Sequence, residues 1–356
     1  MKKHLIFSFL IFIFTFFIIN KVSKLFLENT DQENKRTDYI TQVFGENNVE
    51  DYLKVSSEQS LQRIYEPYVE FKEQEQLSDF TSVSKFGNRC NYNFVKLCEE
   101  PSGGSKEIWF FGGSTAFGQG LKNNETITYY IEEISNNEFK AINFGAGGFN
   151  STQSRILFQN LLTKLSPPYA AVFLNGNNDF LITHKLNETQ LSGRIRNNYN
   201  KPFKDSVKIY LKERILRLNF IKLINEKFLP KKSIKKLPKT SKEILKISNL
   251  LSINQDINLK IGKHFDTKVL NILQPAPIFD NSYKTSNTPD IFKLKKTNVE
   301  YSNLKNGYEY ILEKPNQNYL DLSKLKINKP MYIDTFHYTK ELNRAIAIEI
   351  INKLSQ

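Results

Sequence analysis

Ile108-Trp109-Phe110-Phe111-Gly112-Gly113-Ser114-Thr115-Ala116-Phe117-Gly118 decides the fold. Four consecutive apolar residues stopped by two glycines have the length of a strand buried on both faces, while a helix needs about ten residues or more. Outward from this stretch the same rhythm repeats. Thr126–Ile134 fits a helix, Ala141–Asn143 a second strand, Gln153–Leu165 a second helix and Ala170–Leu174 a third strand. Lys268–Leu273 reads as a returning strand, stopped by Pro275 and Pro277. Glu341–Leu354 is a closing amphipathic helix with Thr339 as its N-cap. Short strands alternating with helices predict an α/β fold: a three-layer α/β/α, doubly wound parallel sheet.

The chain has 356 residues, 40% of them apolar and 24% charged, which is globular usage and excludes a collagen-like or polytopic membrane protein. Two cysteines are too few for a disulfide scaffold or a four-cysteine zinc site. The formal charge of +13 is local: residues 185–264 hold 20 basic and 6 acidic side chains, leaving the remainder at −1. Lys231, Lys232, Lys235, Lys236 and Lys239 are its densest part. Such a stretch faces anionic lipid, an acidic glycan or a charged substrate, or else is a solvated helical face. No nucleic-acid signature accompanies it.

Four regions are expected. Residues 1–27 form a signal anchor, with Lys2 and Lys3 ahead of the apolar run Leu5–Ile19 and no small-residue cleavage site after it. The anchor predicts a single-pass transmembrane helix, a cytoplasmic N-terminus and an extracytoplasmic domain. Residues 28–64 read as a polar stalk, and 65–356 as the main domain. Within that domain 185–264 reads as a basic helical insert, with helices over Asp205–Phe228 and Ser241–Ile261. Tyr65–Phe71 reads as extended, Gly87-Asn88-Arg89 as a turn, and 278–300 as loop. Cys90 and Cys98 either close a small hairpin in an oxidising compartment or remain free buried thiols.

In open α/β sheets ligands bind beyond the carboxyl ends of the strands, and the polar motifs fall there. Ser114 follows two glycines that let the chain turn sharply and expose the hydroxyl. A serine needs a base to become a nucleophile, and His337 is the best placed of the four histidines, because His4 is in the anchor while His184 and His264 flank or lie in the insert. Asp334, three residues earlier, is within reach of that imidazole on a turn. Acyl transfer also needs donors for a developing oxyanion. The Gly148 amide, the Asn178 side chain and the Ser114 amide are suited to this. The glycines of 145–148 lack dinucleotide-binding spacing, and no P-loop lysine follows them.

These blocks resemble the SGNH (GDSL-like) hydrolases, in particular anchored bacterial members that begin with a Gly-Gly-Ser-Thr block. The resemblance covers about residues 86–356 apart from the insert. Phe111–Gly118 is similar to the first block, Asn143–Gly148 to the second, Gly176–Asp179 to the third and Asp334–His337 to the last. It implies a flavodoxin-like sheet, Ser114 as nucleophile, Gly148 and Asn178 as oxyanion donors, and Asp334 and His337 as the rest of a triad. Gly113 stands where the family often has aspartate. Gly145 and Gly147 compete with Gly148, and Asn175 and Asn177 with Asn178.

The expected activity is a serine esterase that cleaves O-acetyl groups of carbohydrates or lipid esters, without a metal or organic cofactor. An O-acyltransferase to surface glycans, or a non-catalytic glycan- or membrane-binding module on the same fold, is the alternative. The basic insert is a candidate lid.

Overall fold

In the computed structural model, residues 14–23, 31–59, 63–92, 98, 100–182, 238–280, 298–313 and 318–356 are described. They fall into two units. The first spans 1–39 and 193–236, and its described part is helical over 14–23 and at the start of α1 (Asp31–Phe44). No helix among the described residues is long and apolar enough to cross a membrane. Residues 1–13 and 24–27 of the expected anchor lie outside them.

The second unit, 40–192 and 237–356, carries the sheet. Helix α2 (Val49–Glu58) is followed by the antiparallel hairpin β1 (Arg63–Glu66) and β2 (Glu70–Glu73). The chain then runs β3 (Gly104–Gly112), α3 (Ser114–Phe117), α4 (Ile127–Ile134), β4 (Lys140–Asn143), α5 (Ser151–Leu162), β5 (Pro168–Asn175) and α6 (Asn177–Ile182). After 183–237 come α7 (Ser241–His264), β6 (Lys268–Leu273), α8 (Val299–Leu312), β7 (Leu320–Asp321) and α9 (Lys340–Leu354). The order β4-β3-β5-β6-β7, all parallel, is the doubly wound arrangement read from the sequence. The winding reverses between β3 and β5, the position where such sheets open a crevice for ligands.

Strand alternation builds the layers. Ile108 and Phe110 of β3 pack with Ile127 and Ile131 of α4 and with Leu342, Ile346 and Ile350 of α9. Trp109 and Phe111 face the other way, onto Phe158 and Leu161 of α5. Phe111 stacks on Phe144 and Phe173 at 5.5 and 4.9 Å between ring centres. A third cluster joins Phe180 of α6 to Ile244, Ile247 and Leu251 of α7 and to Leu304 and Tyr308 of α8.

Several expectations change. The latter part of the expected insert 185–264 is α7, the crossover between β5 and β6, and belongs to the core. Adjacent parallel strands need a crossover of a dozen residues or more, so this helix is required by the sheet. Lys242, Lys246, Lys260 and Lys263 lie on its exposed face. Lys239 bonds inward, its Nζ donating to the Phe180 carbonyl at 2.6 Å. Lys231, Lys232, Lys235, Lys236 and the helix expected over Asp205–Phe228 lie outside the described residues. So does any lid built from 183–237.

The polar stretch 28–64 is not a bare spacer. Tyr52 and Val55, three apart on α2, are buried with Ile40 and Leu121, and the Tyr52 hydroxyl bonds Glu125. Tyr65–Phe71 is not one extended run but a hairpin turning at Pro67–Val69, and α8 occupies sequence that carried no helix expectation. Cys90 and Cys98 are joined in a disulfide.

Candidate active site

Strand β3 ends at Gly112, Gly113 is still extended, and Ser114 opens the single-turn helix α3. That helix stops after one turn because Gly118 adopts a left-handed conformation (φ 80°). The serine thus sits on a strand-to-helix turn at the open end of the sheet, partly exposed. Gly113 has a local reason: a Cβ there would come within 2.2 Å of Asn178 Nδ2. The amide of Asn178 fills the space that a side chain at 113 would need.

His337 comes from the loop between β7 and α9. The loop is closed by the Ile333 amide bonding the His337 carbonyl at 2.9 Å and by the Tyr332–Tyr338 bridge. His337 Nε2 lies 2.9 Å from Ser114 Oγ. Its Nδ1 lies 2.6 Å from Asp334 Oδ2. Asp334 Oδ1 accepts the amides of Phe336 and His337, each at 2.8 Å. Burial works against charge on Asp334, but the imidazole opposite and these bonds outweigh it and hold the carboxyl at about 2. Burial also opposes a charged His337, and the Asp334 carboxylate overrides it, so the imidazole is raised above its ordinary value.

The candidate donors differ in their hydrogen bonds. The Gly145 amide donates to Asn143 Oδ1 and the Gly147 amide to Glu73 Oε1, both at 2.9 Å. The Gly148 amide has no acceptor among the described residues, and φ of +91° there suits glycine. Asn175 is buried and receives the Ser154 hydroxyl. Asn177 accepts from Tyr308 at 2.8 Å and donates to the Pro275 carbonyl. Asn178 gives one amide proton to the Phe149 carbonyl at 2.8 Å, and the amide carries a second. Ser114 and Asn178 follow β3 and β5, the strands that flank the reversal, and Gly148 follows β4.

Two supporting residues escaped the sequence analysis. Gln274, directly after β6, donates to Thr115 Oγ1 at 3.2 Å and to the Tyr338 hydroxyl at 2.9 Å. It ties the serine turn to the histidine loop. A polar residue closing an apolar strand, as in the three quoted blocks, was the available signal. Asp179, fully buried, accepts the Ser151 amide and hydroxyl and the Gly176 amide, locking the third block to the start of α5. Its burial pushes the carboxyl up. Among the described residues no group of three or more His, Cys, Asp or Glu is placed to hold a metal.

No family model matches the chain, and no curated protein matches it. Solved structures similar to it include an acetyl xylan esterase, AlAXEase, at 15% identity and a TM-score of 0.36, covering 69% of this chain and 98% of that one. A carbohydrate acetylesterase family member from Sinorhizobium meliloti shares 15% identity at a TM-score of 0.34, over 70% of this chain and 98% of the other. An α/β hydrolase enzyme, LAE5, from the metagenome of Lake Arreo, Spain, shares 12% at a TM-score of 0.33, over 72% and 97%. Similarity at this level assigns neither substrate nor chemistry.

Proposed function

We propose that the chain is a serine ester hydrolase of the SGNH type, acting on O-acetylated carbohydrate or a lipid ester. The observation that carries this is the Asp334–His337–Ser114 relay, with links of 2.6 and 2.9 Å. His337 Nε2 takes the Ser114 proton as Oγ attacks the ester carbonyl. Asp334 holds the ring in the tautomer that leaves Nε2 basic and stabilises the imidazolium that forms. The amides of Ser114 and Gly148 and the Asn178 side chain receive the tetrahedral oxyanion. His337 then returns its proton to the leaving alcohol. Water, activated by the same imidazole, cleaves the acyl-enzyme. The proposal keeps the single-pass anchor and an extracytoplasmic domain, for which a Cys90–Cys98 disulfide is suited.

The test is hydrolysis of p-nitrophenyl acetate together with labelling by a fluorophosphonate. The intact chain should turn over the ester and gain one adduct on Ser114, and Ser114→Ala should lose both. Turnover retained by the variant would place the nucleophile elsewhere.

The oxyanion assignment has its own readout. Asn178→Ala should lower kcat by about 10²–10³-fold with KM little changed, because the bond forms as charge develops on the carbonyl oxygen. A rise in KM at constant kcat would instead make Asn178 a ground-state binding residue.

A further inference from the structure

The hairpin β1–β2 lies outside the five-stranded sheet and outside the blocks that define the site, yet it bonds directly to the loop 145–149. Glu73, with its side chain 4% exposed, accepts the Gly147 amide at 2.9 Å and faces Arg63 Nε at 3.4 Å. The Arg63 guanidinium lies over the Phe71 ring at 4.5 Å. Phe71 packs edge-on against Phe149, whose carbonyl orients Asn178. Gln153 Nε2 reaches back to the Val69 carbonyl at 3.1 Å.

Arg63 is held on one edge and one face. Nε is engaged by Glu73 and the ring plane by Phe71, while the terminal nitrogens have no partner among the described residues and the side chain is 45% exposed. A Cβ placed on Gly147 would fall 2.5 Å from Arg63 Nη2, so the guanidinium rests against the residue preceding Gly148. Standard bond lengths then put Nη2 at most about 6.5 Å from the Gly148 nitrogen. A fixed guanidinium with its outer donors uncommitted is suited to bind a carboxylate or phosphate in two parallel hydrogen bonds, and its prior immobilisation lowers the entropy lost on binding.

We propose that Arg63 recognises an anionic group on the substrate, so that the enzyme prefers esters that carry a negative charge close to the scissile bond. This rests on the ester-hydrolase reading of Ser114 and names the substrate class within it. Glu73 is the positioning residue: it holds Arg63 in place and removes the Gly147 amide from competition with Gly148.

The experiment compares a neutral ester, p-nitrophenyl acetate, with two anionic ones. These are 4-acetoxybenzoate, charged on the alcohol side, and p-nitrophenyl hydrogen succinate, charged on the acyl side. In Arg63→Gln the ratio of anionic to neutral kcat/KM should fall at least about tenfold for one of the two, through KM. Arg63→Lys, which keeps the charge but loses the planar fork, should fall less. Using the ratio cancels any general damage to the loop. An equal loss on all three esters would reduce Arg63 to a prop for the loop and overturn the proposal, as would an unchanged ratio. If the wild type cleaves none of the esters, the ester reading itself is in question, and thermal shift decides the anion site separately. Glucuronate, and not glucose, should raise Tm in the wild type and not in Arg63→Gln. The same shift in both proteins, or none in either, would overturn the site.

Discussion

His337→Ala is expected to lower kcat for ester hydrolysis by about 10⁴–10⁶-fold, with KM moving little. The reason lies in the geometry. Nε2 is 2.9 Å from Ser114 Oγ, and among the described residues it is the one group within hydrogen-bond reach of that hydroxyl. The pH dependence carries the same assignment further. Only a neutral imidazole can take the serine proton, so activity is lost as pH falls through the His337 pKa. The Asp334 carboxylate raises that pKa, so the acid limb of kcat/KM should lie above the about 6.5 of an ordinary histidine. Asp334→Asn removes the attraction and leaves burial, which favours the neutral ring. The limb should then move to lower pH even as kcat falls by about 10⁴-fold. A limb that stays in place would show that a different group controls it.

Stability responds with the opposite sign over the same range. A raised His337 pKa contributes stability that is complete below about 6.5 and is lost as pH rises through the folded-state value. The depressed Asp334 contributes stability above its ordinary value that is lost as pH falls towards about 2. The pair therefore stabilises the fold most between about pH 4 and 6.5, where His337 is still charged and, on the proposed mechanism, cannot take the serine proton. The proposed mechanism begins where that imidazolium is given up.

What was legible in the sequence follows from what is local. The strand cores at 108–111 and 170–174 were readable because residues buried on both faces leave an unbroken apolar run, and the hydrophobic clusters on either side account for both faces. Lys268–Leu273 was readable to its ends because prolines follow it. The order of the four polar blocks followed from the rule that sheets of this kind open at the strand ends. Non-local facts were hidden. Nothing near residue 147 says that its amide is taken by Glu73, which lies 74 positions away. The choice between Gly147 and Gly148 therefore could not be made from spacing. The role of α7 was obscured because it closes the strongly basic stretch 185–264 and was grouped with it, although the helix itself holds four lysines against nine isoleucines and leucines, with Ile244, Ile247 and Leu251 buried.

Arg89 is the sharpest case of a local signal overridden by tertiary context, and its replacement should have the largest effect on stability. Gly87-Asn88-Arg89 has the composition of a surface turn, yet Arg89 is 1% exposed. Its Nη1 donates to the carbonyls of Phe117 and Gly118 at 2.9 and 2.6 Å, and its Nη2 to that of Leu121. The guanidinium also lies over the Phe117 ring at 4.8 Å. The Phe117 and Gly118 carbonyls close the one-turn helix that begins at Ser114, so a cation here meets the negative end of that turn. Burial pushes Arg89 down to about 9, against the attraction of Glu125 and Glu58, which leaves it charged at neutral pH. Arg89→Ala leaves the buried Phe117 carbonyl without a donor, reduces the Gly118 carbonyl to the Leu121 amide and the Leu121 carbonyl to Gln59 Nε2, and opens a cavity beside Phe117, at an expected cost of about 3–5 kcal/mol. Arg89→Met restores most of the volume and removes the buried charge, so it should cost less, while the Phe117 carbonyl stays unpaired. Urea unfolding of both variants gives the comparison. Because α3 begins at Ser114, the proposed nucleophile, kcat of the folded Met variant should also fall, by up to about 10²-fold if the hydroxyl shifts by 1 Å. An alanine variant within about 1 kcal/mol of wild type would show that water or a rearranged loop satisfies the Phe117 carbonyl, and that the guanidinium does not hold the serine turn.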